Sequence, residues 1–211
     1  MTDDAVTRGM RALLARRDGE LAAGGRQVGW KIGFNTATIQ QALGISEPVV
    51  GCLLENGVTA DGATVSLVGW GKPAVEVEVA VRVGDDLGVA GLAPALELVD
   101  LDVDFADLEG VLAGNICQRG VVFGTEVAGV DPFAVRVTVA KNGRGGDEGA
   151  LTEDPATTVD FVRRFLAAHG AALEPGQRII AGSLVAPVAV APGDALDVGF
   201  GPLGALAVAF D

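Results

Sequence analysis

The chain has 211 residues, of which 49% are hydrophobic and 20% charged, and this composition is typical of a globular protein. The formal net charge of −13 disfavours nucleic acid as a partner, because phosphate backbones would be repelled over most of the surface. No apolar stretch reaches the roughly 18 residues of a membrane helix. The N-terminus carries acids where a signal peptide has bases, so we expect a cytoplasmic protein that does not bind membranes.

The scarce residue types narrow the possible chemistry. Tyrosine is absent, and Cys52 and Cys117 have no metal-binding spacing, so we expect them to be free thiols. A serine-protease-like triad would have to use His169, the one histidine. That residue falls in the last turn of a predicted helix, where a histidine usually interacts with the helix dipole or with solvent, and we favour that role over catalysis.

The first quarter of the chain combines two helices with two strands. In chain order, the apolar spacing and the capping residues predict an amphipathic helix over 3–23, a strand over 27–33, a short helix through TIQQAL with Asn35 or Thr36 as N-cap and Gly44 at its end, and a strand through VVGCLL after Pro48.

Strand signals dominate the remainder. They predict strands over 75–83 and 95–100, a helix over about 107–114, a strand in QRGVVFG, a hairpin whose arms 133–141 and 149–151 flank the glycine-rich KNGRGGDEG, a helix over 157–169 with Thr157 or Thr158 as N-cap, and strands in RIIAGSLV, ALDVGF and GALAVAF. No repeat or linker divides the chain. We therefore predict an α+β fold with a sheet-dominated core, as a single domain over 1–211 in which 1–25 form the N-terminal helix.

Two acidic residues share one side of the strand over 75–83. Since side chains alternate along a strand, the valines face one way, and Glu76 and Glu78 face the other together with Ala80 and Arg82. One interpretation is an antiparallel strand with a solvated face, in which the acids need no partner. The other is a cation held between the two carboxylates, which would offset their mutual repulsion.

A third acid favours the second interpretation. Glu97 stands inside the apolar segment PALELV, where an unpaired buried carboxylate would be costly, although an exposed edge position would also accommodate it. Three carboxylates without histidine or paired cysteine are hard oxygen ligands, and they suit Mg²⁺, Mn²⁺ or Ca²⁺ better than zinc.

Several segments together resemble the fumarylacetoacetate hydrolase superfamily, and within it the branch of 2-keto-4-pentenoate hydratases and 4-oxalocrotonate decarboxylases. The matching segments occur in the family's order and are GWKIG (29–33), QALG (41–44) followed by Glu47-Pro48, Glu76-x-Glu78, PALELVD (94–100), IAGSL (180–184), PGD (192–194) and FGPLG (200–204).

The resemblance implies a mixed β-sandwich roll with a few flanking helices. It also implies that Glu76, Glu78 and Glu97 bind Mg²⁺ or Mn²⁺, that the metal chelates the 2-oxo-carboxylate of the substrate, and that the chain forms homo-oligomers. Lys31 would lie over the substrate as an electrophile or proton donor; without the resemblance, a solvated lysine at a strand end is the preferred interpretation. The implied function is a divalent-metal-dependent lyase, a hydratase or decarboxylase, that acts on a small unsaturated 2-oxo acid through a metal-stabilised enolate.

The sequence departs from the family pattern at specific positions. Hydratases of the branch usually have an aspartate where this chain has Val49, and an apolar residue there favours decarboxylation over hydration. The usual DNxS-like stretch reads Gly114-Asn115 and continues to Arg119, which either faces a second substrate carboxylate or lies on the surface. Ser183, in the IAGSL segment, is the other candidate for substrate binding.

Two alternative functions stay open. One is an acylpyruvate-type C–C hydrolase or a keto-enol tautomerase, although the N-terminal half lacks the histidine with which hydrolases of the superfamily typically activate water. The other is a non-catalytic partner subunit of a hydratase or decarboxylase complex.

Overall fold

The computed structural model describes the backbone of residues 2–211 and the side chains from residue 5 onward. All four predicted helices are present, with ends shifted by one or two residues. They are Thr2–Ala22 (α1), Ala37–Leu43 (α2), Leu108–Ala113 (α3) and Pro155–Ala168 (α4).

The helix starts follow local capping chemistry. Thr36, one of the two predicted caps of α2, accepts a hydrogen bond from the backbone N–H of Ile39. The cap of α4 is Asp154 instead of the predicted Thr157 or Thr158, because its carboxylate accepts the N–H of Ala156 and Pro155 suits the first helical position.

Strands account for most of the regular structure in the described residues. They are Gln27–Gly33 (β1), Val49–Leu54 (β2), Val58–Thr59 (β3), Thr64–Val65 (β4), Pro73–Val83 (β5), Val89–Asp100 (β6), Gln118–Phe123 (β7), Arg136–Lys141 (β8), Arg144–Ala150 (β9), Arg178–Ile180 (β10), Val188–Ala189 (β11), Ala195–Gly199 (β12) and Ala205–Phe210 (β13).

The larger sheet is mixed and is built around a long hairpin. Its strand order is β2-β1-β10-β5-β6-β7-β3, with β11 paired to β5. Strands β5 and β6 are antiparallel and form its centre, whereas β1 runs parallel to β10. The smaller sheet has the order β4-β13-β12-β8-β9.

The larger sheet closes into a roll. Strand β3 begins after only Glu55–Gly57, which follow β2, yet β3 pairs with β7 at the far end of the strand order. The inner face is lined mainly by small and branched apolar side chains that form one cluster across five strands: Leu53, Ala80, Ala93, Ala95, Val121 and Ile180. Small side chains allow the opposite walls of a narrow roll to approach each other.

The main core lies between the outer face of the roll and the smaller sheet. The alternate valines of β5, from Val75 to Val83, are at most 2% exposed, and they belong to the same apolar cluster as Val198 of β12 and Val208 of β13. Helix α4 contributes Phe165 to this cluster. The predicted α+β class with a sheet-dominated core is therefore correct.

The glycine-rich segment after Lys141 differs from the prediction. It was expected to be a long hairpin connection, but the turn is only Asn142-Gly143, and the glycines that follow belong to β9. Both turn residues are left-handed, with φ of 55° and 71°, which is the requirement of a two-residue hairpin turn. Turn chemistry at these two positions outweighs the low strand propensity of glycine.

Among the described residues, no helix combines the length and the apolar character required to cross a bilayer.

Candidate active site

The β5–β6 hairpin brings the three predicted acids together. Glu76 is directly opposite Glu97, and Glu78 lies two residues further along β5 on the same face. One carboxylate oxygen from each residue lies within 4.8 Å of the others. Glu78 and Glu97 are fully buried, and Glu76 is partly exposed. The interpretation of a solvated strand face is thus wrong for Glu78 and Glu97.

Each buried carboxylate uses one oxygen for a hydrogen bond and leaves the other without a partner. Oε2 of Glu78 accepts the backbone N–H of Gly182 at 2.7 Å, and Oε1 of Glu97 accepts from Nζ of Lys31 at 2.5 Å. Oε1 of Glu78 and Oε2 of Glu97 have no hydrogen-bond partner among the described residues. Buried carboxylate oxygens rarely stay without a partner, so these two oxygens require either a proton shared between Glu78 and Glu97 or a bound cation.

Lys31 is the cationic member of the cluster. It lies on β1, is only 2% exposed, and donates to Glu97 and to the backbone carbonyl of Ile116 at 3.0 Å. The interpretation of Lys31 as a solvated strand-end lysine is therefore wrong. A buried ammonium beside carboxylates is placed to stabilise negative charge on a bound molecule.

The electrostatics of the cluster favour an added cation. Burial raises the pKa of Glu78 well above its ordinary value, and the charges of Glu97 and Glu76 raise it further. Burial raises the pKa of Glu97 to about 7, although Lys31 acts in the opposite direction. For Lys31, burial alone would lower the pKa, but Glu97, Glu76 and Glu78 together raise it, so the ammonium stays protonated.

The donor set fits a hard divalent cation. It consists of carboxylate oxygens, two of them orphaned, and its fixed hydrogen bonds from Gly182 and Lys31 orient the carboxylates as outer partners do around bound metals. Burial raises the pKa of the Cys117 thiol to about 11, so the thiol is protonated in the metal-free chain. The group of converging ligand atoms in the described residues consists of carboxylate oxygens from Glu76, Glu78 and Glu97, so the donor set is oxygen-based.

Comparisons with known proteins agree with the geometry of the site. No family model matches the sequence. A 4-oxalocrotonate decarboxylase from Pseudomonas sp is 30% identical over 214 residues, which cover 90% of this chain and 82% of the relative. A 2-keto-4-pentenoate hydratase from Paraburkholderia xenovorans (strain LB400) is 28% identical and covers 90% of this chain and 78% of the relative.

A solved structure agrees with this relationship at the level of the fold. The 4-oxalocrotonate decarboxylase from Pseudomonas putida G7, complexed with magnesium and adipate, superposes with a TM-score of 0.89 at 24% identity, covering 100% of this chain and 86% of that one. The chain belongs to the hydratase and decarboxylase branch of the fumarylacetoacetate hydrolase superfamily. The resemblance inferred from ordered motifs is confirmed, and the chain is a lyase of this branch.

Ser183 and Arg119, the two residues predicted to bind the substrate, lie in different surroundings. The hydroxyl of Ser183 accepts a hydrogen bond from the backbone N–H of Val77 at 3.0 Å. Val77 is the residue between Glu76 and Glu78 in the sequence. Arg119 has a side chain that is 51% exposed and pairs with Asp100 at 3.0 Å, and its guanidinium lies 5.9 Å from the ring centroid of Trp70. Ser183 thus joins the segment that carries Gly182 to β5, and Arg119 lies at the protein surface.

Val49 and His169 are also placed by the structure. Val49 is 1% exposed and pairs with Gly33, so an aliphatic side chain occupies the position where hydratases of the family usually have an aspartate. His169 caps the end of α4, where its ring stacks on Phe165 and its Nδ1 lies 2.9 Å from the carbonyl oxygen of Phe165. The role at the helix end that we favoured for His169 agrees with these contacts.

Sequence reasoning missed the backbone groups of the site. The N–H of Gly182 and the carbonyl of Ile116 both contact it, and neither backbone group depends on a recognisable side chain. The sequence signal for Gly182 is the glycine itself. The structure explains it, since φ is 110° and a Cβ there would lie 2.1 Å from Nδ2 of Asn35. A glycine within IAGSL therefore indicated a close approach of the backbone to another group.

Proposed function

We propose that the chain binds one Mg²⁺ or Mn²⁺ ion through Glu76, Glu78 and Glu97 and acts on a small unsaturated 2-oxo acid. The observation that carries the proposal is the pair of buried, orphaned oxygens of Glu78 and Glu97 beside the protonated Lys31. A divalent ion held there supplies Lewis acidity toward the oxygens of a 2-oxo acid. The magnesium complex of the related P. putida G7 decarboxylase is consistent with this choice of ion.

Lys31 has the central role among the chain's own groups. Loss of CO₂ and addition of water to an unsaturated 2-oxo acid share an enolate, whose developing negative charge needs a nearby donor. The Lys31 ammonium is held by Glu97 and by the Ile116 carbonyl, so it can stabilise that charge or deliver a proton without reorganising. Lys31, Glu78 and Glu97 are at most 2% exposed, and the scarcity of water around these groups strengthens this interaction.

Decarboxylation is the reaction that this site favours. Hydration needs a group that activates water or transfers its proton, and the position next to the Lys31 strand that usually supplies it carries the buried aliphatic Val49. Decarboxylation breaks a C–C bond without added water, and it needs stabilisation of the charge left behind and one proton to complete the product, both of which Lys31 can supply. Hydration is the second candidate, because relatives with 28–30% identity include both hydratases and decarboxylases.

Further parts of the proposal concern substrate contacts and assembly. We infer that Ser183 contacts the substrate, because its hydroxyl bonds to Val77 between two of the acids. Arg119 is the second candidate, and as an exposed residue paired with Asp100 it would contact only a substrate group that extends to the surface. A single domain over 1–211, predicted because no repeat or linker divides the chain, and a homo-oligomer, implied by the family resemblance, are also parts of the proposal.

Metal binding can be tested by calorimetry. Protein stripped with a chelator is titrated with Mn²⁺, and we expect one saturable site whose affinity falls at least about 10-fold in Glu76→Gln, since a ligand charge is lost. Glu148→Gln, the same chemical change on an exposed residue of edge strand β9, is the matched control and should bind normally. Absence of saturable binding, or equal binding by both variants, would contradict the metal site.

The reaction is identified by a parallel assay. Metal-loaded protein is incubated with a panel of unsaturated 2-oxo acids, and CO₂ release and loss of dienol absorbance are followed together. Release of CO₂ supports decarboxylation, whereas loss of absorbance without CO₂ supports hydration. Pyruvate released from acylpyruvates would instead identify the C–C hydrolase, and activity only after addition of a second protein would identify a partner subunit.

A further inference from the structure

Three consecutive residues next to Lys31 adopt a backbone conformation that is unusual for them. Asn115, Ile116 and Cys117 all have left-handed φ angles, of 69°, 53° and 65°. Asparagine tolerates this region, but a β-branched isoleucine rarely enters it. A run of this kind persists only where the surroundings impose it.

The side chain of Asn115 supplies that constraint. Its Oδ1 accepts the backbone N–H of Cys52 at 2.8 Å, and its Nδ2 donates to the Cys52 carbonyl at 2.8 Å and to Oε1 of Gln118 at 2.9 Å. Asn115 is 4% exposed, so these three hydrogen bonds are made away from water. They fix the segment 115–117 to strand β2 and to the start of β7.

The fixed segment presents one group to the site, the carbonyl of Ile116. Nζ of Lys31 donates to this oxygen at 3.0 Å and to Glu97 at 2.5 Å. An ammonium group has three N–H donors, so these two hydrogen bonds determine the direction of the third. The direction of that third donor therefore depends on where the Ile116 carbonyl is held.

Asn115 and Lys31 are also packed against each other across Gly51. Gly51 pairs with Lys31 in the sheet, and a Cβ at Gly51 would lie 2.7 Å from Oδ1 of Asn115 and 2.9 Å from Cγ of Lys31. The asparagine oxygen and the lysine stem thus both lie against the Gly51 backbone, in the space that a side chain there would need.

We propose that Asn115 is a positioning residue that, by holding the left-handed segment 115–117, aims the Lys31 ammonium at the substrate. The proposal rests on the proposed function in one respect, the role of Lys31 as the donor to a 2-oxo acid. Asn115 itself acts through Ile116 and Lys31 and does not touch the reacting atoms.

The orientation of Lys31 can be measured without substrate. The chain has three lysines, Lys31, Lys72 and Lys141, so protein labelled with [¹⁵N]lysine gives three ammonium signals, assigned with Lys72→Arg and Lys141→Arg. We expect the ammonium protons of Lys31 to exchange with water at least about 10-fold faster in Asn115→Gly than in wild type. Glycine accepts the left-handed conformation, so this variant removes the hydrogen bonds without adding backbone strain.

Asn142→Gly is the matched control. Asn142 is also left-handed, with a φ of 55°, and its side chain also joins two segments, through Asp194 and the N–H of Ala195. It lies in the smaller sheet, so we expect both variants to lower the melting temperature but only Asn115→Gly to change the exchange of Lys31.

Kinetics provide the second measurement. With saturating Mg²⁺, Asn115→Gly should lower kcat at least about 10-fold and leave KM and metal affinity within about threefold, because a misplaced donor affects the reaction more than binding. Asn142→Gly should keep kcat. A purely structural role would lower stability in both variants without this separation.

The outcomes distinguish the two proposals. Folded Asn115→Gly with unchanged Lys31 exchange and unchanged kcat would overturn the positioning role. If Asn115→Gly does not fold, Gln118→Ala decides, since it removes one of the three hydrogen bonds; exchange at Lys31 should be at least about twofold faster, and no change would overturn the proposal. If the wild-type chain is inactive on every 2-oxo acid, the proposed function is wrong. The exchange of the Lys31 ammonium protons would still test the positioning role of Asn115.

Discussion

At the scale of single residues, the site is a group of like charges that the fold holds together. Glu78 and Glu97 are buried with one unsatisfied oxygen each, and Lys31 neutralises only part of their charge. Such an arrangement is unfavourable in the metal-free chain and becomes favourable when a cation is bound. The stability of the empty site and its affinity for metal should therefore respond in opposite directions to the same substitution.

Glu78→Gln should stabilise the metal-free protein and weaken Mn²⁺ binding. Glutamine can still accept the Gly182 N–H, and it needs neither a buried charge nor the uptake of a proton on folding, so we expect a gain of roughly 1–2 kcal/mol at pH 7.5. Urea unfolding in the presence of EDTA measures the gain, and calorimetry should show at least about a 10-fold loss of Mn²⁺ affinity.

The gain from Glu78→Gln should depend on pH with a definite sign. Because the pKa of Glu78 is raised in the folded chain above its ordinary value of 4.5, the folded state holds more protons than the unfolded state above that pH. The contribution of Glu78 to stability is therefore greatest below pH 4.5 and decreases as the pH rises. The difference between variant and wild type should widen from pH 5 to 7.5, and a constant difference would contradict the raised pKa.

Lys31→Met should separate catalysis from metal binding. Loss of the buried ammonium should lower kcat at least about 100-fold. Mn²⁺ should bind at least as tightly as in wild type, because the ion no longer shares the carboxylates with a competing positive charge. Lys72→Met, at a lysine whose side chain is 69% exposed, is the control and should match wild type in both assays. Parallel loss of activity and metal affinity would contradict a direct role of Lys31.

Part of the residue-level site was predictable from the sequence. Alternation along the strand predicted that Glu76 and Glu78 share a face, since side-chain direction has a fixed period of two. The position of Glu97 opposite Glu76 depends on the register of the β5–β6 pair, which is set by the turn after Val83 and not by alternation. The family resemblance supplied that contact, and the structure agrees with it.

At the scale of elements, the short segment after β10 links the site to the rest of the roll. Ile180 ends the strand, Gly182 donates to Glu78, and Ser183 bonds to the backbone of Val77. The amide of Asn35 additionally donates to the carbonyl of Ala181 at 3.1 Å. The orientation of a proposed metal ligand therefore depends on a segment that has no regular secondary structure.

Gly182→Ala tests this dependence. Its φ of 110° strains an alanine, and a methyl group would collide with the Asn35 amide, so the Asn35 side chain must leave the Ala181 carbonyl or the segment must shift. We expect a loss of roughly 1–3 kcal/mol in the free energy of unfolding and about a 10-fold loss of Mn²⁺ affinity.

Gly193→Ala is the control for Gly182→Ala. Gly193 has a φ of 89°, but its Cβ would meet no atom within 4 Å, so backbone strain is added without a collision. Unfolding in urea should show a loss of roughly 1 kcal/mol, with normal Mn²⁺ affinity. Equal metal affinities for the two variants would show that Gly182 does not orient Glu78.

Elements with local signals were predictable, and elements fixed by distant contacts were not. All four helices were predicted because their apolar spacing and end signals are local, although the cap of α4 is Asp154 and not the predicted threonine. The left-handed segment 115–117 carries no glycine and was not predicted, since the contacts of Asn115 with Cys52 that hold it span 63 residues of sequence.

At the scale of the whole molecule, a negatively charged protein is proposed to bind both a cation and an anion. The net charge of −13 attracts the metal but repels a 2-oxo acid approaching from solvent. The buried ammonium, together with the proposed metal ion, would reverse the local field at the site. Repulsion at longer range is screened by salt, with a Debye length of about 10 Å at 0.1 M ionic strength.

The salt dependence of KM follows from this balance. At saturating metal, raising NaCl from 0.02 to 0.2 M should lower KM for the 2-oxo acid about two- to threefold, because screening reduces the repulsion of the substrate anion. Initial-rate measurements at matched ionic strength with a second salt separate screening from binding of a specific ion. A KM that rises with salt would contradict the long-range effect.

The closure of the larger sheet limits how this architecture can be modified. The three residues from Glu55 to Gly57 join β2 to β3, which lie at the two ends of the strand order, so any insertion there would separate the two edges of the roll. A wider or narrower mouth must instead arise in the rim segments that follow other strands, such as 34–36, 101–107 and 181–187. Attempts to redesign the accepted substrate should vary those rim segments and leave the seam at its present length.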